Sequence, residues 1–305
     1  MHGCVIDKMS VAKPFLKWAG GKGQLIEEID KRLPQELLTG QVDTYVEPFV
    51  GGGAVFFHIA QTFDCIKRFY LFDANIDLVN CYNSVKNDFE PVIKELHKLA
   101  HKYHIAENQK ELYLSIRHKF NETKHNWKSA NAAQLIFLNK TCFNGLYRVN
   151  KSGYFNVPFG DYKKPNICNV KNLRNVSKIL QKAYIACADF GDSLRYLDEN
   201  TFVYFDPPYR PLSKTASFTS YSKDSFSEND QIRLSDFCKE VDKKGGKFLL
   251  SNSDPQNEAP NDHFFQDHYE TYGFYIDKVK ASRAINCKAS GRGQINELLI
   301  TNYME

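Results

Sequence analysis

The stretch "DTYVEPFVGGGAVFFHIA" (residues 43–60) decides the fold, because it joins a short buried strand, a glycine turn and a helix. A second strand pattern follows directly in "CIKRFYLFDAN" (65–75), which ends at Asp73. A strand, a helix and another strand in this order are typical of a parallel sheet covered by helices. The stretch therefore predicts an open α/β sheet.

Strand and helix patterns alternate again in the second half of the chain. Residues 78–140 are mostly helical in pattern, and "GLYRVNKSGYFNVPFG" (145–160) has the alternation of a β-hairpin around Asn150–Gly153. Ser227 and Asp230 form a capping-box pattern for a helix that Gly245 and Gly246 end. The remaining strand patterns are "KAYIACADF" (182–190), "TFVYFDPPY" (201–209), "KFLLSNS" (247–253) and "ELLITNY" (297–303).

Composition excludes several classes of protein. The 305 residues are 42% hydrophobic and 25% charged, as in globular proteins. Mean hydropathy is −0.48 and no apolar run approaches ~18 residues, so no membrane span is expected. The first residues have no apolar secretory segment, and the eight cysteines form no C-x-x-C pair. We therefore expect a cytoplasmic protein with reduced thiols and no metal site.

Positive charge is concentrated in the middle of the chain. Residues 119–182 contain twelve cationic side chains and only two anionic ones, Glu122 and Asp161. This segment therefore has a net charge of +10, while the rest of the chain has a net charge of −6. Aromatic and amide residues are interleaved with these cations over 138–165. This mixture favours a nucleic-acid partner over an ordinary lysine-rich surface. The cations are Lys119, Lys124, Lys128, Lys140, Arg148, Lys151, Lys163, Lys164, Lys171, Arg174, Lys178 and Lys182.

The glycine turn predicts a cofactor site. Ligands of open α/β sheets lie beyond the carboxyl ends of the strands, where Gly51–Gly53 would allow close approach of a ligand. Phe56 and Leu16 replace glycines that the dinucleotide and Walker A motifs need, so both phosphate-binding motifs are incomplete. Asp73, at a strand end, suits the two hydroxyl donors of a ribose. Together these residues indicate a nucleoside cofactor without a pyrophosphate, although each alone also suits an ordinary turn or strand end.

The stretch "VYFDPPY" (203–209) predicts the catalytic turn. Pro207 and Pro208 have no N–H group, so the turn presents carbonyl acceptors beside the Asp206 carboxylate. This array matches an exocyclic NH₂ group, and Tyr209 can stack on the flat ring that carries it. Two acceptors on the N–H groups favour a pyramidal nitrogen, which frees the lone pair for attack. The alternative is a buried strand that ends in a proline turn.

Four stretches closely resemble the Dam and Dpn-type DNA adenine-N6 methyltransferases, over nearly the whole chain. The order of their motifs resembles the α group of amino-methyltransferases, although D-P-P-Y alone would leave adenine-N6 and cytosine-N4 open. The stretches are "FLKWAGGKGQL" (15–25), "VEPFVGGGAVFF" (46–57), "FNGLYRVNKSGYFNVPFGDYKKP" (143–165) and "VYFDPPYRPLSKTASFTSY" (203–221).

The resemblance implies an activity and a domain organisation. The expected reaction moves a methyl group from S-adenosylmethionine to N6 of a flipped-out adenine in duplex DNA, usually within GATC. The expected fold is a Rossmann-like methyltransferase sheet, formed by residues 1–76 and 184–305. An inserted helical and β-hairpin DNA-recognition domain would occupy residues 77–183. No membrane and no obligate protein partner are implied, and a cognate restriction enzyme would be paired only genetically.

The resemblance also implies roles for individual residues. Phe143 is similar to the residue that wedges into the duplex beside the flipped base, and Asn144 to its companion that steadies the orphaned base. Leu146 and Pro158 could instead be hairpin core, and Lys17 a plain phosphate contact. The implied cofactor site consists of Trp18, Lys22, Gly51, Gly52, Gly53, Asp73 and Asp206. The implied catalytic residues are Asp206, Pro207 and Tyr209. The implied readers of GATC are Lys17, Leu146, Arg148, Pro158 and Tyr162, of which Arg148 suits guanine.

Two loops have expected roles at the site, and two other functions are alternatives to DNA methylation. The loop 210–226 is placed to cover the site, and the basic loop 283–292 could hold DNA phosphates. One rival function is methylation of RNA or of a protein side-chain amide. The other is a DNA-binding regulator on an inactive methyltransferase scaffold, which would need a broken motif. The sequence predicts neither the oligomeric state nor whether the enzyme acts with a restriction enzyme or alone.

Overall fold

A single mixed sheet of seven strands organises the chain. The computed structural model describes residues 11–210, 226–282 and 294–304, in which the strand order is β3-β2-β1-β4-β5-β7-β6. Strands β1 to β5 are parallel, and β7 runs antiparallel to β5 and β6. The predicted α/β sheet is confirmed. The strands are β1 Thr44–Glu47, β2 Arg68–Asp73, β3 Ala183–Cys187, β4 Thr201–Phe205, β5 Lys247–Ser253, β6 Tyr275–Ser282 and β7 Gln294–Thr301.

The strand order reverses between β1 and β4, which lie side by side at the centre of the sheet. Every residue of both strands is buried, as expected where helices cover the two faces of a sheet. The crevice beyond the carboxyl ends of two such strands is the usual place for a ligand. The glycine turn follows β1 and the D-P-P-Y turn follows β4, so both predicted motifs lie at this crevice.

Helices cover the sheet and build a layer beside it. Helix α4 contacts β2, β3 and α8, whereas α5 and α6 pack on the largely buried α7. Both ends of the segment 77–183 therefore contain helices that belong to the packing around the sheet. The helices are α1 Ile26–Asp30, α2 Gln35–Leu38, α3 Ala54–Thr62, α4 Ile76–Asn87, α5 Phe89–Ile105, α6 Gln109–Thr123, α7 Ser129–Thr141, α8 Val170–Leu180, α9 Glu228–Lys243 and α10 Phe264–His268. None of these described helices is long and apolar enough to cross a membrane.

The hairpin expected over 145–160 is less regular than its sequence pattern. Isolated antiparallel bridges join Val149 to Phe155 and Cys142 to Phe159, without a continuous two-stranded ladder. The Asn121 side chain of α6 bonds the backbone N–H and carbonyl of Phe155 at 2.8 and 3.0 Å. Tyr113 and Arg117 of α6 also bond the Val157 carbonyl, so side chains of this helix hold the hairpin against the helical layer.

Candidate active site and nucleic-acid interface

The glycine turn between β1 and α3 is tight because the chain must bend sharply there. Gly51 and Gly53 have φ angles of 46° and 70°, in the left-handed region that favours glycine. A Cβ atom at Gly53 would lie 2.8 Å from the Tyr82 hydroxyl, and one at Gly51 would lie 3.0 Å from the Trp18 ring. A larger residue at either position would crowd Trp18 or Tyr82, so the two glycines allow these side chains to pack closely against the turn.

Asp73 ties this turn to the end of β2. Its carboxylate accepts the backbone N–H of Gly51 at 3.0 Å and that of Asn75 at 2.9 Å. Burial raises the pKa of Asp73 above its usual value, although these two N–H groups oppose the shift. A carboxylate accepts about four hydrogen bonds, so Asp73 keeps acceptor capacity for the hydroxyls of a ribose.

Lys22 pairs with Asp206 at the catalytic turn. Their charged groups are 2.6 Å apart, and the side chains are 4% and 21% exposed. Burial lowers the pKa of Lys22, but Asp206, Tyr209 and Glu297 outweigh it and raise the pKa above the usual lysine value. Burial likewise raises the pKa of Asp206, and the Lys22 ammonium opposes this rise. The 2.6 Å separation is that of a close, charge-assisted hydrogen bond between Lys22 and Asp206 at the end of β4.

Tyr209 is held by residues from opposite ends of the chain. Its hydroxyl accepts from the Lys22 ammonium at 3.0 Å and donates to Glu297 Oε1 at 3.1 Å. Burial raises the pKa of Tyr209 to about 12, although Lys22 opposes the shift. The phenol therefore stays protonated, and its ring is anchored at the mouth of the site. The sequence showed Glu297 only as part of a strand pattern, and nothing in it predicted a role for this residue at the site.

Two further side chains donate hydrogen bonds to the catalytic turn. Ser251 Oγ donates to Asp206 Oδ1 at 3.4 Å, and Gln231 Nε2 donates to the Pro208 carbonyl at 2.8 Å. Neither residue was predicted from the sequence. The polar "SNS" at the end of an otherwise apolar strand was a usable signal for Ser251.

These elements enclose a cavity of about 450 Å³. Apolar groups of Phe49, Val50 and Phe226 lie beside the polar groups, as in most sites for small organic ligands. Glu47 also lines the cavity, and burial raises its pKa well above the usual range although the Tyr45 hydroxyl, which donates to it, opposes this. The donor set and the glycine turn fit a nucleoside cofactor. The predicted residues that line the cavity are Trp18, Lys22, Gly51, Gly52, Gly53, Asp73, Asp206, Pro207 and Tyr209.

Several predicted DNA-contacting residues lie together on one surface. The backbone N–H of Phe143 donates to the Pro158 carbonyl at 2.9 Å, and the Phe143 side chain is 49% exposed. Asn144 is exposed and has a φ of 54°, a left-handed backbone conformation that residues other than glycine rarely adopt. The Lys17 ammonium lies 4.8 Å from the centre of the Tyr162 ring. Strained, exposed residues of this kind are often found at functional sites.

Leu146 and Arg148 differ in their surroundings. Leu146 is half-buried against the hydrophobic core, which agrees in part with the alternative that it is a packing residue. Arg148 is exposed, and its Nε donates to the Asn156 side chain at 2.7 Å. Its guanidinium is thus oriented within the hairpin turn before any partner arrives.

A basic groove adjoins this surface. Two cavities of about 340 and 420 Å³ share Lys140 and Asn166 in their linings. The described residues that line them include lysines and no carboxylate. Burial and the neighbouring charge of Lys17 lower the pKa of Lys140 to about 8. The lysines are Lys13, Lys17, Lys140, Lys163, Lys164 and Lys171. The loop expected to cover the site and the basic loop 283–292 lie almost entirely outside the described residues.

The chain is similar to known DNA methyltransferases. A family model described as "D12 class N6 adenine-specific DNA methyltransferase" matches residues 18–285. The "Type II methyltransferase M.MjaIII" of Methanocaldococcus jannaschii is 50% identical over 95% of this chain and 99% of its own. The "Type II methyltransferase M1.LlaDCHI" of Lactococcus lactis is 37% identical, covering 95% of each chain. A "DNA adenine methylase" of Vibrio cholerae is 37% identical over 95% of this chain and 96% of its own.

Proposed function

The chain belongs to the D12 class of N6 adenine-specific DNA methyltransferases, and from this premise we propose that it methylates N6 of a flipped-out adenine within GATC. Membership confirms the resemblance found in the sequence and makes the protein a site-specific adenine DNA methyltransferase. The target site, the flipping of the base and the residue roles belong to the proposal. The Asp206–Lys22 pair in the cavity shared with the glycine turn is the observation that carries it.

The family depends on S-adenosylmethionine, which supplies the methyl group when bound. Asp73 would hold the ribose hydroxyls, and Trp18 and the glycine turn would form the wall of the cofactor site. Asp206 would be shared between the cofactor and the substrate amine. Lys22 contacts Asp206 and Tyr209, so we assign it to holding the catalytic turn on the border of the cofactor site.

The catalytic turn would activate the amine of adenine by accepting its hydrogens. The Asp206 carboxylate and the Pro207 carbonyl would each accept one N–H bond, and Tyr209 would stack on the base. The Lys22 ammonium opposes the rise in the pKa of Asp206 that burial causes, and so favours the ionised acceptor. No covalent intermediate with the protein is needed, because catalysis rests on orientation and on preorganised acceptors. The methylated nitrogen then loses its proton to water or to a carboxylate.

The adenine must leave the duplex to reach this turn, because Asp206 lies within the cavity and cannot reach N6 inside a base stack. Phe143 would fill the gap in the stack, since its large apolar ring is exposed on the surface that carries Lys17 and Pro158. Asn144 would hydrogen-bond the orphaned base. Phe143 has no hydroxyl group, so stacking alone would have to fill the gap.

Recognition of GATC would combine base contacts with phosphate contacts. Arg148 would bind guanine O6 and N7, and Leu146 and Pro158 would contact a thymine methyl. Lys17 and Tyr162 complete the proposed base-contacting set. The basic groove around Lys140 would hold phosphates that flank the site, because the described residues that line it include lysines and no carboxylate.

Type II methyltransferases among the relatives favour a restriction-modification role, in which methylation protects DNA from a cognate endonuclease. The test is to express the protein in cells that lack GATC methylation and to digest their DNA. We expect resistance to a nuclease blocked by N6-methyladenine in GATC, and cleavage by one that requires it. Methylation at a different sequence would overturn the GATC assignment and leave the family assignment intact.

A further inference from the structure

The carbonyl of Pro208 is bound by a buried side chain. Gln231, in the first turn of α9, is fully buried and donates from Nε2 to this carbonyl at 2.8 Å. The Oε1 atom of Gln231 faces the Nδ2 atom of Asn252 in β5 at 3.4 Å. Asn252 is also fully buried, and its Oδ1 accepts the N–H of Ser253 at 2.9 Å. A chain of amide groups thus connects β5 through α9 to the catalytic turn.

The turn depends on such side chains because its two prolines have no N–H group. Ordinary turns are held by backbone hydrogen bonds, which a proline cannot donate. Here Lys22 and Ser251 bond Asp206, and Gln231 bonds Pro208. Burying an amide is costly unless it is hydrogen-bonded, so the satisfied Gln231–Asn252 pair orients the turn without an unpaired group.

We propose that Gln231, supported by Asn252, is a positioning residue that orients the catalytic turn for methyl transfer. By holding the Pro208 carbonyl, Gln231 fixes the peptide plane between Pro208 and Tyr209, and the locked φ of Pro208 limits how the preceding plane can rotate. The Pro207 carbonyl is then the backbone acceptor presented to the amine, together with the Asp206 carboxylate. This inference rests on the proposed catalytic role of the turn. Gln231 touches neither substrate in this scheme and acts through Pro208.

The pH dependence of kcat in the Gln231→Glu variant tests this role. The protonated glutamate has the shape of glutamine and can donate to the Pro208 carbonyl, whereas its carboxylate cannot donate and repels that oxygen. Burial raises the pKa of such a carboxyl, which brings its titration towards neutral pH. For Gln231→Glu we expect kcat to fall about 10- to 100-fold at pH 8 and to recover towards the parent value by pH 6. KM for both substrates should change less than about twofold.

Two further variants separate positioning from folding. Gln231→Met keeps length but cannot donate, so its kcat should be low at every pH without recovery. Gln35→Glu makes the same chemical change on an exposed residue of α2 and should follow the parent pH profile. For all variants, kcat and KM for both substrates should be measured from pH 6 to pH 8, and thermal unfolding should be measured on the protein alone.

The outcomes distinguish the failure of this inference from the failure of the catalytic assignment. Parent-like kcat in Gln231→Met, or activity loss in Gln231→Glu that tracks lowered thermal stability and shows no recovery at low pH, would overturn the positioning role. Asp206→Ala serves as the reference for the turn itself. If Asp206→Ala keeps near-normal methyl transfer, the catalytic assignment fails. If it is inactive while Gln231→Glu matches the parent, only the role of Gln231 fails.

Discussion

Replacing Lys22 by methionine should move the acid limb of methyl transfer to higher pH. Methionine approximates the length of lysine but removes the ammonium that lies 2.6 Å from Asp206. Asp206 is proposed to act as a carboxylate, so activity is lost as pH falls through its pKa. Burial already raises that pKa and Lys22 opposes the rise, so removing Lys22 must raise it further. Activity should therefore disappear at a higher pH than in the parent.

The size of this shift follows from the burial of the pair. An opposite charge within about 4–6 Å changes a carboxyl pKa by about 1–3 units, and each unit corresponds to about 1.36 kcal/mol. With Lys22 only 4% exposed, water screens the pair weakly, so we expect a shift of about 1–3 units. Leaving a buried charge unpaired costs about 3–5 kcal/mol, so Asp206 should take up a proton in the variant rather than stay charged.

The assay is the single-turnover rate of methyl transfer to a duplex with one GATC site, from pH 5 to pH 9. Lys31→Met is the matched control, because Lys31 forms an ion pair with Glu28 but is 63% exposed. Exposed pairs contribute little, so this control should keep the parent profile. A Lys22→Met profile that is lower than the parent at all pH values, with an unshifted acid limb, would refute the proposed electrostatic role.

Three other predictions test the cofactor site and the DNA surface. Asp73→Ala should weaken binding of S-adenosylmethionine by about 1–3 kcal/mol in calorimetry, and an unchanged dissociation constant would remove Asp73 from the site. Arg148→Ala should reduce discrimination between GATC and sites altered at one guanine by about 1–3 kcal/mol in kcat/KM. Lys151→Ala should instead weaken binding equally on all sequences, and a uniform loss in Arg148→Ala would show that Arg148 does not read a base. Lys140 should lose its proton as pH rises through about 8, so DNA affinity of the parent should fall by up to about tenfold from pH 7 to pH 9. Lys140→Arg should remove this component, and equal pH dependence in both proteins by fluorescence anisotropy would contradict the assignment.

Local features of the fold were predictable from the sequence. The strand, glycine turn and helix after residue 43 follow from apolar spacing and from the need for positive φ at Gly51 and Gly53. The capping box of α9 is also present, with the Ser227 hydroxyl accepting the Asp230 N–H at 3.2 Å. These features depend on hydrogen bonds and burial within a few residues, which periodicity encodes directly.

Other parts of the fold depended on partners far along the chain. Strand β6 (Tyr275–Ser282) was not predicted, because Asp277, Lys278 and Lys280 interrupt its apolar pattern. The alternating pattern over 145–160 predicted a longer hairpin ladder than the structure has, because the Asn121 side chain of α6 bonds part of this backbone. Alternating residues cannot show which element supplies the neighbouring hydrogen bonds.

The sequence by itself determined the family, the α/β fold and the residue types at the ends of β1, β2 and β4. Only the tertiary structure decided how those residues are connected. Tyr209 bonds Lys22 across 187 residues of chain and Glu297 across 88, and Gln231 reaches Pro208 from α9. These contacts exist because β1 lies beside β4 and β7 lies beside β5 in the sheet. Strand order depends on residues far apart in the chain, so no local sequence pattern predicts it.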